Sequence, residues 1–168
     1  HNIANILMGV AVGVLMGLRV RQIAHAVAGI APVEHRLQLR REGPITVIDD
    51  AFNSNPVGAR NAVEILGQFN SGRRVIVTPG MIELGDIEYE ENRKFGEAIA
   101  SNADVAVLVG PQRTAAIADG LAASGFPVDN VHVFRSLFDA RDFLEQYLRA
   151  GDVVLYENDL PDQYDEAA

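Results

Sequence analysis

The chain of 168 residues contains no cysteine, which excludes a disulfide framework, a thiolate metal site and a cysteine nucleophile. That absence fits a reducing compartment, and the expected location is the cytoplasm. Basic residues are scarce: 14 Lys and Arg face 23 Asp and Glu, for a formal charge of -9. With no long basic cluster, neither nucleic acid nor an anionic membrane is expected as a partner. Long hydrophobic runs are missing too. The most apolar stretch, Ile6 to Leu18, has 13 residues, whereas a membrane-spanning helix needs roughly 20. It lacks the basic flank and small-residue cleavage site of a signal peptide, and it reads as a buried helix. No tandem repeat or low-complexity tract is present.

What is present is a 48% hydrophobic composition, in a chain long enough for one complete core and too short for two ordinary domains. The first thirty-odd residues predict two helices, broken near Gly17 and Leu18, with Gly29 and Pro32 stopping the second near Ala28. RLQLRR (Arg36–Arg41) alternates with period two, and PITVID (Pro44–Asp49) follows a Glu-Gly-Pro turn. These two segments predict an antiparallel pair.

The short valine-rich runs Val75–Val77, Val105–Val109, Val131–Phe134 and Val153–Tyr156 have the character of strands covered on both faces. Amphipathic segments near Val57–Phe69, Glu88–Ala100, Thr114–Ala123 and Leu137–Leu148 separate them. The alternation predicts an α/β fold: a Rossmann-like, doubly wound, mainly parallel sheet with an antiparallel strand at its N-terminal side. Asn55 before Pro56 predicts a helix N-cap, and Ser136 with Asp139 a capping box.

In an open parallel sheet, ligands bind beyond the carboxyl ends of the strands. The loops at that edge read DDAFNSNP, TPGMIELGD, GPQR, FRS and ENDLPDQYDE, and they hold the unusual polar chemistry of the chain. A carboxylate at Asp49 or Asp50 can accept two hydroxyl hydrogen bonds, as a ribose offers, and the Asn55–Pro56 helix start can direct N–H groups at a phosphate. A turn cap and a solvated side chain explain the two aspartates equally well. Glu83 is suited to a metal, to a substrate amine, or to capping the following helix. The motifs of other chemistries are missing: no acid two residues after Asp50, no G-x-G-x-x-G, no P-loop, no G-x-S-x-G, and no histidine spacing that makes a metal site.

HNIAN at the start, HRL (His35–Leu37), IDDAFNSNP and GMIELG form an ordered set. Together they resemble the C-terminal part of the Mur ligases, the ATP-dependent amide-forming enzymes of peptidoglycan synthesis. The likeness is strongest to the branch that adds a D-alanyl-D-alanine dipeptide. It covers nearly the whole chain, and it implies a division into residues 1–32, the last helices of an upstream ATPase (central) domain plus linker, and residues 33–168, the Mur ligase C-terminal domain. A chain that opens on histidine is expected to be a piece of a longer protein.

The resemblance also implies roles. Asn2 and Asn5, three residues apart and so on one helix face, would approach the adenine of ATP. Arg36 would reach the nucleotide and Asp50 its ribose, leaving Asp49 a supporting part. Asn53 and Asn55 would face the interdomain cleft, and Glu83, Glu157, Asn158 and Asp159 the amino substrate. In the family a substrate carboxylate attacks the γ-phosphate to give an acyl phosphate, and an amine then displaces phosphate. The P-loop and Mg2+ ligands lie in the central domain, so no catalytic or metal-binding residue is expected here. The fragment alone is expected to be inactive. Its partners would be the upstream domains, a UDP-muramoyl-peptide-like acceptor, and an amino acid or dipeptide.

Two departures stand out. The last strand runs into the acidic YENDLPDQYDE (Tyr156–Glu166) where this branch has a Lys-Gly-Ser-like loop, which puts the identity of the amine in doubt. Phe52 replaces a tyrosine. The alternative reading is a Mur-like binding or regulatory domain that has lost the chemistry.

Overall fold

The structure, a computed structural model, describes residues 3–31, 33–52 and 54–158. Asn2, Asn53 and Asp159, named above as candidate site residues, lie outside the described residues.

The chain divides into two compact units, residues 1–33 and 34–168. The first holds α1 (Ile3–Leu15) and α2 (Val20–Ala28). The break between them falls where expected, at a Gly17 with φ 80°. The expectation that Ile6–Leu18 is a buried helix is corrected. The helix forms, but Gly13 is its one buried residue, while Leu7, Met8, Val12 and Leu15 are exposed. A helix that is apolar all round needs cover all round, and a single nine-residue companion helix supplies it on one side. Among the described residues, no helix is long and apolar enough to cross a membrane.

The second unit is one six-stranded sheet of β1 (Gln38–Glu42), β2 (Ile45–Asp50), β3 (Arg74–Thr78), β4 (Val105–Val109), β5 (Val131–Phe134) and β6 (Val153–Glu157), in the order β1-β2-β6-β3-β4-β5. β1 is antiparallel to β2, and every other neighbour pair is parallel. The helices are α3 (Pro56–Gly67), α4 (Glu88–Asn102), α5 (Ala115–Ala123) and α6 (Leu137–Tyr147).

Two separate clusters show why the strands are apolar at successive positions. Ile48, Ile76, Leu108 and Leu155 pack with residues of α3, α4 and α5. Val75, Val77, Val107 and Val154 pack with Ala140 and Leu144 of α6. Successive side chains of a strand point to opposite faces, so a strand covered on both has no polar position to spare. Each fully buried large apolar side chain, such as Phe95 at 0% exposure, contributes roughly 1.5–3 kcal/mol by burial.

Helix starts follow their sequence signals. Asn55 Oδ1 accepts the N–H groups of Val57 (3.2 Å) and Gly58 (2.9 Å), with Pro56 opening α3. Ser136 Oγ accepts the N–H of Asp139 at 3.1 Å.

Candidate functional site

The parallel register aligns the carboxyl ends of β2 and β6, with Asp49 opposite Tyr156 and Asp50 opposite Glu157. On the other side of β6, Val77 pairs with Tyr156, which brings Thr78 to the same level. Glu157 therefore sits at the middle of the strand-end edge and is 1% exposed. Thr78 Oγ1 donates to Glu157 Oε2 at 2.9 Å, and the Ser54 hydroxyl donates to Oε1. Burial pushes the Glu157 carboxyl up to about 7; the two hydroxyl donors oppose the rise, and the charge of Asp50 adds to it.

Asn158, at φ 63°, donates from Nδ2 to the Gly80 carbonyl (2.7 Å) and from its backbone N–H to the Asp50 carbonyl (3.2 Å). The end of β6 is thus tied to the end of β2, to the loop after β3 and to the loop before α3. Glu157 and Asn158, expected to face a substrate, are turned inward. The reason is topological: β6 lies between β2 and β3, and loops from both neighbours close over its end.

The two aspartates at the end of β2 serve one turn from different positions. Asp49, 3% exposed, takes the His35 Nδ1–H on Oδ2 at 2.9 Å and an Arg40 guanidinium nitrogen on the same oxygen at 2.8 Å. Asp50 Oδ1 accepts the Leu37 N–H at 2.9 Å. Phe52 donates its N–H to the His35 carbonyl at 3.2 Å. Arg36, between the two held residues, lies with its guanidinium carbon 4.3 Å from the centre of the Phe52 ring. Burial raises the Asp50 carboxyl above the ordinary aspartate range, opposed by the Leu37 hydrogen bond and the Arg36 charge and reinforced by Asp49. β2 ends at Asp50, one residue later than predicted.

The loop after β3 is fixed from inside. Gly80 donates its N–H to Thr78 Oγ1 (3.0 Å), and Met81 donates its N–H to Asn92 Oδ1 (2.9 Å). Asn92 Nδ2 returns bonds to the carbonyls of Met81 (2.8 Å) and Glu88 (3.0 Å). Gly80 has φ 80°, and a Cβ there would come within 3.0 Å of Asn92 Oδ1. Glu83 is exposed at φ 63°. The N-cap position of α4 belongs to Ile87.

Asn55 is exposed, but its side-chain oxygen and the first N–H groups of α3 satisfy one another. That reduces the phosphate-binding capacity expected of this helix start. Asn5 lies exposed on α1, in the other unit. Among the described residues, no group of three or more His, Asp or Glu side chains is arranged to hold a metal. His132 packs against Phe143 (4.5 Å) and Tyr147 (5.2 Å); burial lowers its pKa, and Nε2 has no hydrogen-bond partner among the described residues.

Sequence reasoning did not single out Ser54, Thr78, Asn92 or the His35–Asp49 contact. For Thr78 the available signal was a hydroxyl ending a run of valines. For Asn92 it was an amide in line with Phe95, Gly96 and Ile99, the buried face of α4. For His35 and Asp49, 14 residues apart, the sequence gives no spacing signal.

A family model described as "Mur ligase, glutamate ligase domain" matches residues 35–156. The UDP-N-acetylmuramoyl-tripeptide–D-alanyl-D-alanine ligase of Mycobacterium tuberculosis is 33% identical over 92% of this chain and 34% of its own length. Among solved structures, crystal structure II of MurF from Acinetobacter baumannii superposes with a TM-score of 0.78 at 25% identity, covering 94% of this chain and 34% of that one. MurF of Thermotoga maritima in complex with ADP gives a TM-score of 0.72 at 21% identity, covering 88% of this chain and 32% of that one. The chain thus spans about a third of the length of the curated relatives it matches.

Proposed function

Because this chain belongs to the Mur ligase family through its glutamate ligase domain, we propose that it is the C-terminal part of an ATP-dependent ligase joining an amine to a UDP-muramoyl-peptide-like carboxylate in peptidoglycan precursor synthesis. The observation that carries the reading is the convergence of the family-type HRL and DDAFNSNP segments at one corner of the sheet, where Arg36 lies on Phe52 beside Asp50. An arginine stacked on a ring keeps a planar fork of N–H donors for phosphate or ribose oxygens, and a half-buried carboxylate suits a hydroxyl pair. These residues fit a nucleotide. That one structural relative was solved with ADP supports the same reading.

In this reading the nucleotide activates the acceptor carboxylate as an acyl phosphate. Residues 1–32 complete the upstream domain, which also supplies the Mg2+ ligands, and residues 33–168 close over the nucleotide. Asn2 and Asn5 approach its base, and Arg36 and Asp50 its phosphates and ribose. Closure excludes water from the acyl phosphate. Asn53, Asn55, Glu83 and Asp159 face the amine, while Glu157 and Asn158 shape that surface from beneath through Ser54 and Gly80.

The test uses the full-length protein with a panel of amino acids and dipeptides, read as phosphate release. ATP-dependent release that needs both acceptor and amine is expected, with Arg36→Ala raising the nucleotide KM about tenfold or more. No release from the intact protein, or release from the isolated fragment, would overturn the reading. An upstream sequence without a P-loop would favour the binding-domain alternative.

A further inference from the structure

The turn that carries Arg36 is built from conformations that its residues disfavour. His35 has φ 58° and Leu37 φ 50°. Neither is a glycine, and leucine is a poor occupant of the left-handed region. Four contacts hold the turn there. The His35 ring donates to Asp49 (2.9 Å), the Leu37 N–H donates to Asp50 (2.9 Å), the His35 carbonyl accepts from Phe52 (3.2 Å), and the Phe52 ring backs Arg36 at 4.3 Å. Asp49 is itself fixed by Arg40 at 2.8 Å and is nearly inaccessible, with 5% of its side chain exposed. It faces inward, with His35, Arg40 and the Ala51 N–H (3.3 Å) as its partners.

We propose that His35 and Asp49 are positioning residues that lock the 35–37 turn in its left-handed form and thereby present Arg36, stacked on Phe52, to the nucleotide. The inference rests on the nucleotide reading above and adds to it that the two aspartates have separate routes of action. Asp50 stands beside the ligand, whereas Asp49 acts only through the turn. An arginine on an unconstrained loop would lose side-chain and backbone freedom on binding, and a turn held in advance has already lost it. Arg36 has no local reason of its own to adopt this pose, because the residues on either side prefer other backbone angles.

The test is steady-state kinetics of the full-length ligase with Arg36→Ala, Asp49→Ala, His35→Ala and the double variant Asp49→Ala with Arg36→Ala. Asp49→Asn, which keeps an acceptor for His35, and His35→Asn, which tolerates a left-handed backbone, guard against misfolding. Asp49→Ala and His35→Ala should each raise the nucleotide KM about tenfold, with kcat and the amine KM within roughly threefold of wild type. The Asn variants should recover most of the loss. Asp49→Ala should add almost nothing in the Arg36→Ala background, because its effect travels through that side chain. If Arg36→Ala raises the nucleotide KM while Asp49→Ala and His35→Ala leave it unchanged, or if the double variant is additive, the positioning role is overturned and the nucleotide reading survives. If Arg36→Ala itself leaves the nucleotide KM unchanged, both fall.

Discussion

Among the described residues, Glu157 is the side chain whose protonation departs furthest from that of its free form. Its carboxyl is pushed from 4.5 up to about 7, chiefly by burial. The folded state therefore holds a proton that the unfolded state has released. The stability gained by holding it is complete below the unfolded value and is lost as pH rises through about 7. Glu157→Gln keeps the shape and removes the titration. Denaturant midpoints at about pH 5 and about pH 8 should show the wild type losing on the order of 1–3 kcal/mol relative to the variant at the higher pH. Equal slopes with pH would show that Glu157 is ionised throughout.

At the scale of elements, two contacts set how neighbours meet. α4 and α5 cross where Gly96 and Gly120 leave no room for a Cβ: one built on Gly120 would lie 2.0 Å from the Arg93 carbonyl oxygen, and one on Gly96 2.2 Å from that of Ile117. Backbone cannot yield as a flexible side chain can, so Gly120→Ala should cost about 2–3 kcal/mol or more, measured by urea unfolding. At the opposite end of the sheet, Asp152 joins the starts of β3 and β6. It accepts the N–H groups of Arg73 (3.0 Å) and Arg149 (2.9 Å) and the Arg73 guanidinium (2.6 Å). Burial alone would raise the Asp152 pKa, but these donors outweigh it and hold the group below its ordinary value. Asp152→Ala would strand the two backbone donors and leave the Arg73 guanidinium only the Tyr147 carbonyl (2.8 Å), and should lower stability by about 2–4 kcal/mol in the same measurement. The stability that Asp152 supplies is present above the ordinary aspartate range and lost as pH falls through its depressed value.

For the whole molecule, the organising fact is that, among the described residues, both apolar clusters lie within 34–158. A chain starting at Glu34 should lose only the helical circular dichroism signal of α1 and α2 and melt cooperatively within a few degrees of the longer one. Loss of cooperativity would show that the sheet depends on the leading helices. Strand order explains why the strand-end edge is so crowded. β6, last of the described strands, inserts between β2 and β3, so segments more than a hundred residues apart, such as Ser54 and Glu157, meet at one point.

Much of this fold was legible because its signals are local. Valine runs bounded by turns marked β4 at Val105–Val109 and β5 at Val131–Phe134 to the residue, and Asn55–Pro56 and Ser136–Asp139 announced helix starts that the backbone then used. Hydrophobic period and capping depend on residues within one or two turns of each other, so a sequence determines them by itself. It also determined which edge of the sheet would carry the polar loops, since every parallel strand delivers its carboxyl end to the same side. The tertiary structure alone decided what those polar residues do. His35 reads as an isolated histidine until register brings it to Asp49, and Glu157 reads as a group facing the amino substrate until β2 and β3 close around it. Even the exposed face of α1 reads as core until its surroundings are counted. Burial and partnership are properties of the assembled sheet, set by strand order and contacts far apart in the chain, and no local pattern encodes them.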